Sequence, residues 1–102
     1  MKINIILAGV GGQGILTIAA VIDTAALASN LNIKQSEVHG MSQRGGAVQS
    51  HVRISDKEVY SDLIPVGKAD MIISVEPMEL LRYLPFLKKD GLLVTDSNPF
   101  LN

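Results

Sequence analysis

The apolar residues of this chain come in short blocks, and the spacing within each block predicts its element. Ile3 to Ala8 is a short apolar run rich in β-branched residues and closed by glycine, the pattern of a buried parallel strand. From Gln13 to about Ser29 strong helix formers dominate, with alanine at positions 19, 20, 25, 26 and 28. Apolar positions nearly encircle that segment, which predicts a helix packed on both sides. Asn30 tolerates a left-handed terminal conformation and is the predicted stop. Asn32 to Val38 reads as a second strand. Strand, glycine-rich turn, helix and strand make a βαβ unit, for which the handedness rule predicts a right-handed crossover.

The period then changes. From Ala47 to Ile54, Val48, Val52 and Ile54 (with Ser50) point one way, and Gln49, His51 and Arg53 the other. Period two with one polar face predicts a half-exposed, antiparallel strand. Ser55-Asp56-Lys57 reads as a tight turn and Glu58 to Ser61 as a short return strand, giving a β-hairpin inserted in an α/β chain. Pro65 and Gly67 mark a loop, and Met71 to Val75 is another buried strand. Pro77 suits the first turn of a helix running to about Lys89, whose lysines complement the C-terminal dipole. Asp90-Gly91 ends it, and Leu92 to Thr95 is the final strand. The expected fold is α/β, a three-layer α/β/α Rossmann-like mixed sheet with an inserted β-hairpin. The covering helix that normally follows a last strand is missing, so the sheet is expected to be truncated at its C-terminal side.

Composition narrows the function classes. With 102 residues there is room for one domain, and 47 % hydrophobic residues supply its core. A net charge of −1 and 4 % aromatic residues argue against nucleic acid and anionic membranes as partners. The chain has no cysteine, which removes disulfides, thiolate nucleophiles and iron–sulfur ligation from these residues. The N-terminal apolar run is cut short by Gly-Val-Gly-Gly, unlike a signal peptide. The stretch Ile15 to Leu31 carries Thr17, Asp23, Thr24, Ser29 and Asn30, too polar for a membrane span. A cytoplasmic protein is expected.

"LAGVGGQGIL", residues 7–16, holds Gly9-x-Gly11-x-x-Gly14 between the first strand and the first helix. Backbone N–H groups of such a turn, at a helix N-terminus, form an anion site. A dinucleotide site also wants an acidic residue about twenty positions on, and Glu37 stands there. Three readings stay open on these residues: a dinucleotide, another phosphate or anion, or a turn whose glycines only allow tight packing. Gly12 and Gln13 put an amide side chain where the helix starts, to contact an anion or to hydrogen-bond the turn.

"SEVHGMSQRGGAVQSHVRI", residues 36–54, has no place in a simple dinucleotide fold, which wants a helix after the acidic residue. Together with "AGVGGQGIL" and the stretch from Ser61 to Ser97, it resembles the gamma domain of the 2-oxoacid:ferredoxin oxidoreductases over essentially the whole chain. The form Glu37-Val38-His39-Gly40-Met41-Ser42-Gln43-Arg44-Gly45-Gly46 looks most like the indolepyruvate branch, where this domain is the beta subunit. The resemblance implies a subunit that takes part in oxidising 2-oxoacids to acyl-CoA with electrons passed to ferredoxin. It implies that thiamine diphosphate, magnesium and iron–sulfur clusters belong to a catalytic partner subunit, which also meets ferredoxin. It further implies that this domain helps frame the substrate and CoA side, and that the chain alone is inactive and binds no cofactor. The family's domain is substantially longer, so residues 1–102 correspond to its N-terminal part, and self-association of the chain is expected. The alternative is a free-standing Rossmann-type nucleotide-binding domain.

The residues singled out for substrate, anion or interface contact are Gly9, Gly11, Gly12, Gln13, Gly14, His39, Gln43, Arg44, Gly45 and Gly46. The planar fork of Arg44 suits a carboxylate or phosphate, or a salt bridge across a subunit interface. His39 reads as an anchor for its loop in preference to an acid/base, since it has no evident partner in the sequence. The Gln49, His51 and Arg53 face is expected to be covered by a partner. Glu76 follows a strand, where α/β sheets place ligands, or it holds the next helix. Gly45 and Gly46 supply backbone freedom, and Met41, Met71 and Met78 fill core or interface gaps. His39 and His51 lack a third metal ligand at suitable spacing.

Overall fold

A computed structural model of the chain describes residues 1–10, 13–38, 47–74 and 77–95. The elements are β1 (Lys2–Val10), α1 (Gln13–Ala28), β2 (Asn32–Val38), β3 (Ala47–Ser55), β4 (Ala69–Ser74), α2 (Pro77–Arg82), a single 3-10 turn (Leu84–Phe86) and β5 (Leu87–Thr95). The five strands form one mixed sheet in the order β2-β3-β1-β4-β5. β3 is antiparallel to both β1 and β2, whereas β4 is parallel to β1 and to β5.

The period-two alternation of β1 divides the core. Ile5 and Leu7 join Val52 and Ile54 of β3 and Ala19 and Ala26 of α1 on one face. Ile6 and Ala8 join Ile72 and Ala69 of β4, Ile64 and Tyr83 on the other, with Leu80 of α2 packed alongside. The helices therefore cover opposite faces, and the layering is the α/β/α arrangement expected. Ile6, Leu7, Val52 and Ile72 are fully buried. Burying such a side chain contributes about 1.5–3 kcal/mol.

Asn30 stops α1 as its sequence predicts. Its φ is 59°, the Leu31 N–H donates to the Ala26 carbonyl (3.0 Å) and the Asn30 N–H to the Leu27 carbonyl (3.1 Å). That pair of bonds is a Schellman cap, and Leu31 packs with Ala26 on the α1-side core. Gly67 has φ 79° in a turn closed by the Lys68 N–H on the Pro65 carbonyl (3.1 Å), where a side chain would be strained.

Four expectations are corrected. β1 and β2 are not neighbours, because β3 lies between them; the βαβ unit is split by the polar-faced strand. No strand forms over 58–61. Both edges of β3 are taken by β1 and β2, so a return strand has no free hydrogen-bonding edge, and the hairpin is β2–β3 instead. The second helix ends at Arg82, not near Lys89. Pro85 has no N–H to donate, and its ring would clash with the carbonyl one turn earlier. Lys88 consequently lies in β5, where its Nζ meets the Asp70 carboxylate at 2.6 Å. Finally, α1 is not packed all round: among its described side chains, Val21 and Leu27 on the outer side are exposed.

A polar clasp on the α2 side of the sheet, at the end where β1 begins, was not foreseen. The Asn4 backbone N–H donates to Asp70 Oδ2 (2.7 Å), and its Nδ2 to the Lys68 carbonyl (3.1 Å). Burial works against the Asp70 carboxylate, but the bonds from Lys88 and from the Asn4 amide outweigh it and hold its pKa below the usual carboxylate value. The Tyr83 hydroxyl, by contrast, is buried without a hydrogen-bond partner. Removing an orphaned group relieves its desolvation. Tyr83→Phe is therefore expected to leave stability unchanged or raise it by up to about 1 kcal/mol in urea titrations.

Candidate functional site

β1 runs out at Val10, opposite Ala47, the first residue of β3. β2 runs out at Val38, opposite Gln49. Ser74 ends β4 with Ala8 of β1 on one side and Thr95 of β5 on the other. The described elements thus deliver the chain to, and take it from, one end of the sheet at all of these points. The crossovers also diverge there. From β1 the chain goes through α1 to β2 on one side, and from β4 through α2 to β5 on the other, on opposite faces. The carboxyl ends of β1 and β4 flank a topological switch point, the position where open α/β sheets bind ligands.

The residues singled out in the sequence fall around this point unevenly. Gly9 is buried in β1, paired with Val48. Gln13 and Gly14 open α1, so the glycine motif does lead straight into a helix N-terminus. Gly11, Gly12, His39, Gln43, Arg44, Gly45, Gly46, Met41 and Glu76 lie outside the described residues. Buried Ser74, at the end of β4, stands at the switch point and was missed by sequence reasoning. A polar residue closing an apolar strand was its only signal.

Glu37 does not take the place a dinucleotide would require. It sits on β2, exposed, with Ser50 of β3 opposite. In a dinucleotide fold the strand bearing the ribose acid is next to the glycine-loop strand. Here β3 intervenes, which sets β2 roughly 10 Å from β1.

Two residues of the polar face of β3, His51 and Arg53, are held by the chain's own residues. Arg53 donates from Nε to Asn4 Oδ1 (3.0 Å) and from Nη1 to the carbonyls of Ser61 and Leu63 (both 3.1 Å). His51, 3 % exposed, accepts the Ile64 N–H at Nδ1 (2.9 Å) and faces Gln49 Oε1 from Nε2 (2.8 Å). Burial pushes its pKa below the ordinary 6.5. Among the described residues no group of three or more His, Asp or Glu side chains is placed to hold a metal ion. Among them, too, no helix is long and apolar enough to cross a membrane.

Residues 4–100 match the sequence profile of the family described as pyruvate ferredoxin/flavodoxin oxidoreductase. The chain is 52 % identical over 96 residues to indolepyruvate oxidoreductase subunit IorB of Pyrococcus horikoshii, covering 94 % of this chain and 47 % of that one. It is 36 % identical over 99 residues to 2-oxoglutarate synthase subunit KorC of Methanothermobacter marburgensis, covering 96 % of this chain and 52 % of that one. The crystal structure of the keto/oxoacid ferredoxin oxidoreductase gamma subunit from Geobacter sulfurreducens superposes with a TM-score of 0.68 at 33 % identity, over 93 % of this chain and 51 % of that one. The chain spans about half the length of the curated relatives it matches.

Proposed function

Because this chain belongs to the pyruvate ferredoxin/flavodoxin oxidoreductase family, we propose that residues 1–102 form the N-terminal half of a gamma-type domain in a 2-oxoacid:ferredoxin oxidoreductase. The substrate class is indolepyruvate or a related arylpyruvate. The reaction is oxidative decarboxylation: the 2-oxoacid loses carbon dioxide, its acyl group passes to CoA, and two electrons pass to ferredoxin. The observation that carries this reading is the identity to indolepyruvate oxidoreductase subunits, 52 % for that of Pyrococcus horikoshii against 36 % for the 2-oxoglutarate synthase subunit of Methanothermobacter marburgensis.

The proposed role is that of a non-thiamine, cytoplasmic subunit. These residues contain no cysteine to ligate an iron–sulfur cluster. As the family resemblance implies, thiamine diphosphate, magnesium and the clusters are assigned to a catalytic partner. The switch point between β1 and β4, with Gly9, Gly11, Gly12, Gln13 and Gly14, would frame the substrate and CoA side. His39, Gln43, Arg44, Gly45 and Gly46 would contact substrate, an anion or the partner. The reading as a free-standing dinucleotide-binding domain is disfavoured by the strand between Glu37 and the glycine loop.

The purified chain is expected to be iron-free, to oxidise no 2-oxoacid, and to bind NAD weakly or not at all in calorimetry. Stoichiometric iron, turnover by the chain alone, or NAD bound through Glu37 would overturn the reading. Arg44→Ala is expected to weaken complex assembly or to lower acyl-CoA formation by about tenfold or more, the loss of one charge-assisted contact. The fold should stay intact by circular dichroism. Unchanged assembly and turnover would remove Arg44 from the site.

A further inference from the structure

Between β3 and β4, residues 58–68 cross the α2 side of the sheet without regular structure, yet Ile64 is buried in the core there. Two β3 side chains hold this segment. Arg53 takes the carbonyls of Ser61 and Leu63, and His51 takes the Ile64 N–H. An amide N–H can only donate, so Nδ1 of His51 must present its lone pair. The ring proton then sits on Nε2 and donates to Gln49 Oε1. We propose that His51 is a proton-operated latch, whose neutral ring pins Ile64 in the core and whose protonation frees the 58–68 segment while the sheet stays folded.

The geometry makes the two states exclusive. A second ring proton would stand on Nδ1, facing the Ile64 N–H donor to donor across 2.9 Å. The ring has no room to turn away, since it is 3 % exposed and meets Phe86 edge-on at 5.8 Å. Its neighbours in register, Ile6 of β1 and Ser36 of β2, are uncharged, as is Phe86. Among the described residues two charged groups act on it: Asp62 on the held segment favours the proton, and Arg53 on its own strand opposes it. Burial outweighs Asp62, so the closed form keeps its ring neutral at pH 7. The orphaned Tyr83 hydroxyl lies in the same core cluster as Ile64. Water admitted there on opening would satisfy it, which lowers the cost of the open state.

The sign follows from linkage. The closed state has the lower His51 pKa and the open state the ordinary 6.5. The latch is fully effective above 6.5 and weakens as pH falls from there through the closed-state value. The slope is at most one proton, so the closed-to-open ratio drops by about tenfold per pH unit in that window.

Hydrogen exchange of the full chain, corrected for intrinsic rates, tests this. Protection over 60–66 should fall by up to about tenfold per pH unit below pH 6.5, while residues 4–8 of β1 stay protected. In His51→Asn the side-chain Oδ1 can still accept the Ile64 N–H and does not titrate, so protection should be flat. Flat protection in the natural chain, loss in step with β1, or an equal slope in His51→Asn (which would implicate His39) overturns the proposal. If the variant does not fold, the nitrogen shifts of the natural His51 ring decide. A ring midpoint matching the loss of Ile64 protection supports the latch, and ring titration without change at Ile64 overturns it.

Discussion

A polypeptide of residues 1–102 is expected to associate with itself at high micromolar concentration. β5 is the outermost strand and is parallel to β4, and parallel strands are normally buried on both faces. Its apolar residues are instead open. Leu92, 59 % exposed, and Val94 stand beside Met71 and Ile73 on the α1 side, and Leu93 stands beside Ile72 on the other. Leu81 of α2 and Leu84 just after it are exposed as well. The outer side of α1 adds an open apolar surface made by Ala20, Val21, Thr24, Ala25 and Ala28. Even its one hydroxyl is turned inward, with Thr24 Oγ1 donating to the Ala20 carbonyl (2.8 Å). Contiguous apolar surface of this kind marks an interface, and an open strand edge invites pairing. Light scattering should give a mass above that of the monomer. Leu92→Lys combined with Val94→Lys should shift it toward the monomer. A stable monomer of the unsubstituted chain at high concentration would contradict the prediction.

Ile6→Ala is expected to cost about 2–5 kcal/mol, the range for deleting a large buried aliphatic side chain. Ile6 is fully buried, with His51 opposite it on β3 and Ile72 opposite it on β4, at the centre of the α2-side core. A domain of this size has about 5–15 kcal/mol in all, so the loss would leave much of the population unfolded in mild urea. Leu27→Ala, on the exposed side of α1, should change stability by less than about 0.5 kcal/mol. Comparable midpoints for the two variants would mean that the core does not centre on Ile6.

What the sequence made legible was local. The glycine-closed run Ile3 to Ala8, the alanine-rich helix, the Asn30 cap and the alternation from Ala47 all became elements near the expected bounds. The parts that escaped depend on distant partners. Nothing within residues 47–55 says that β3 inserts between β1 and β2, and this pairing alone removes the edge a return strand at Glu58 would need. The polar face of Gln49, His51 and Arg53 looked like a docking surface because its carbonyl and amide partners lie 8 to 13 residues further on, in an irregular segment. Pro85 was a local signal that outweighed the helix-forming residues around it. For the site, the helix start at Gln13 was readable, and so was the family resemblance carried by residues 36–54. The converging strand ends follow only from the register of the whole sheet.

We propose that these residues work as the non-thiamine part of a 2-oxoacid:ferredoxin oxidoreductase. The most direct test is co-expression of the protein with the proposed cysteine-rich thiamine subunit, followed by affinity purification and a CoA-dependent ferredoxin-reduction assay on an arylpyruvate. The expected result is a stable complex that reduces ferredoxin only when both subunits, CoA and the 2-oxoacid are present. A protein that purifies without the thiamine subunit, or a thiamine subunit that turns over equally well in its absence, would contradict it.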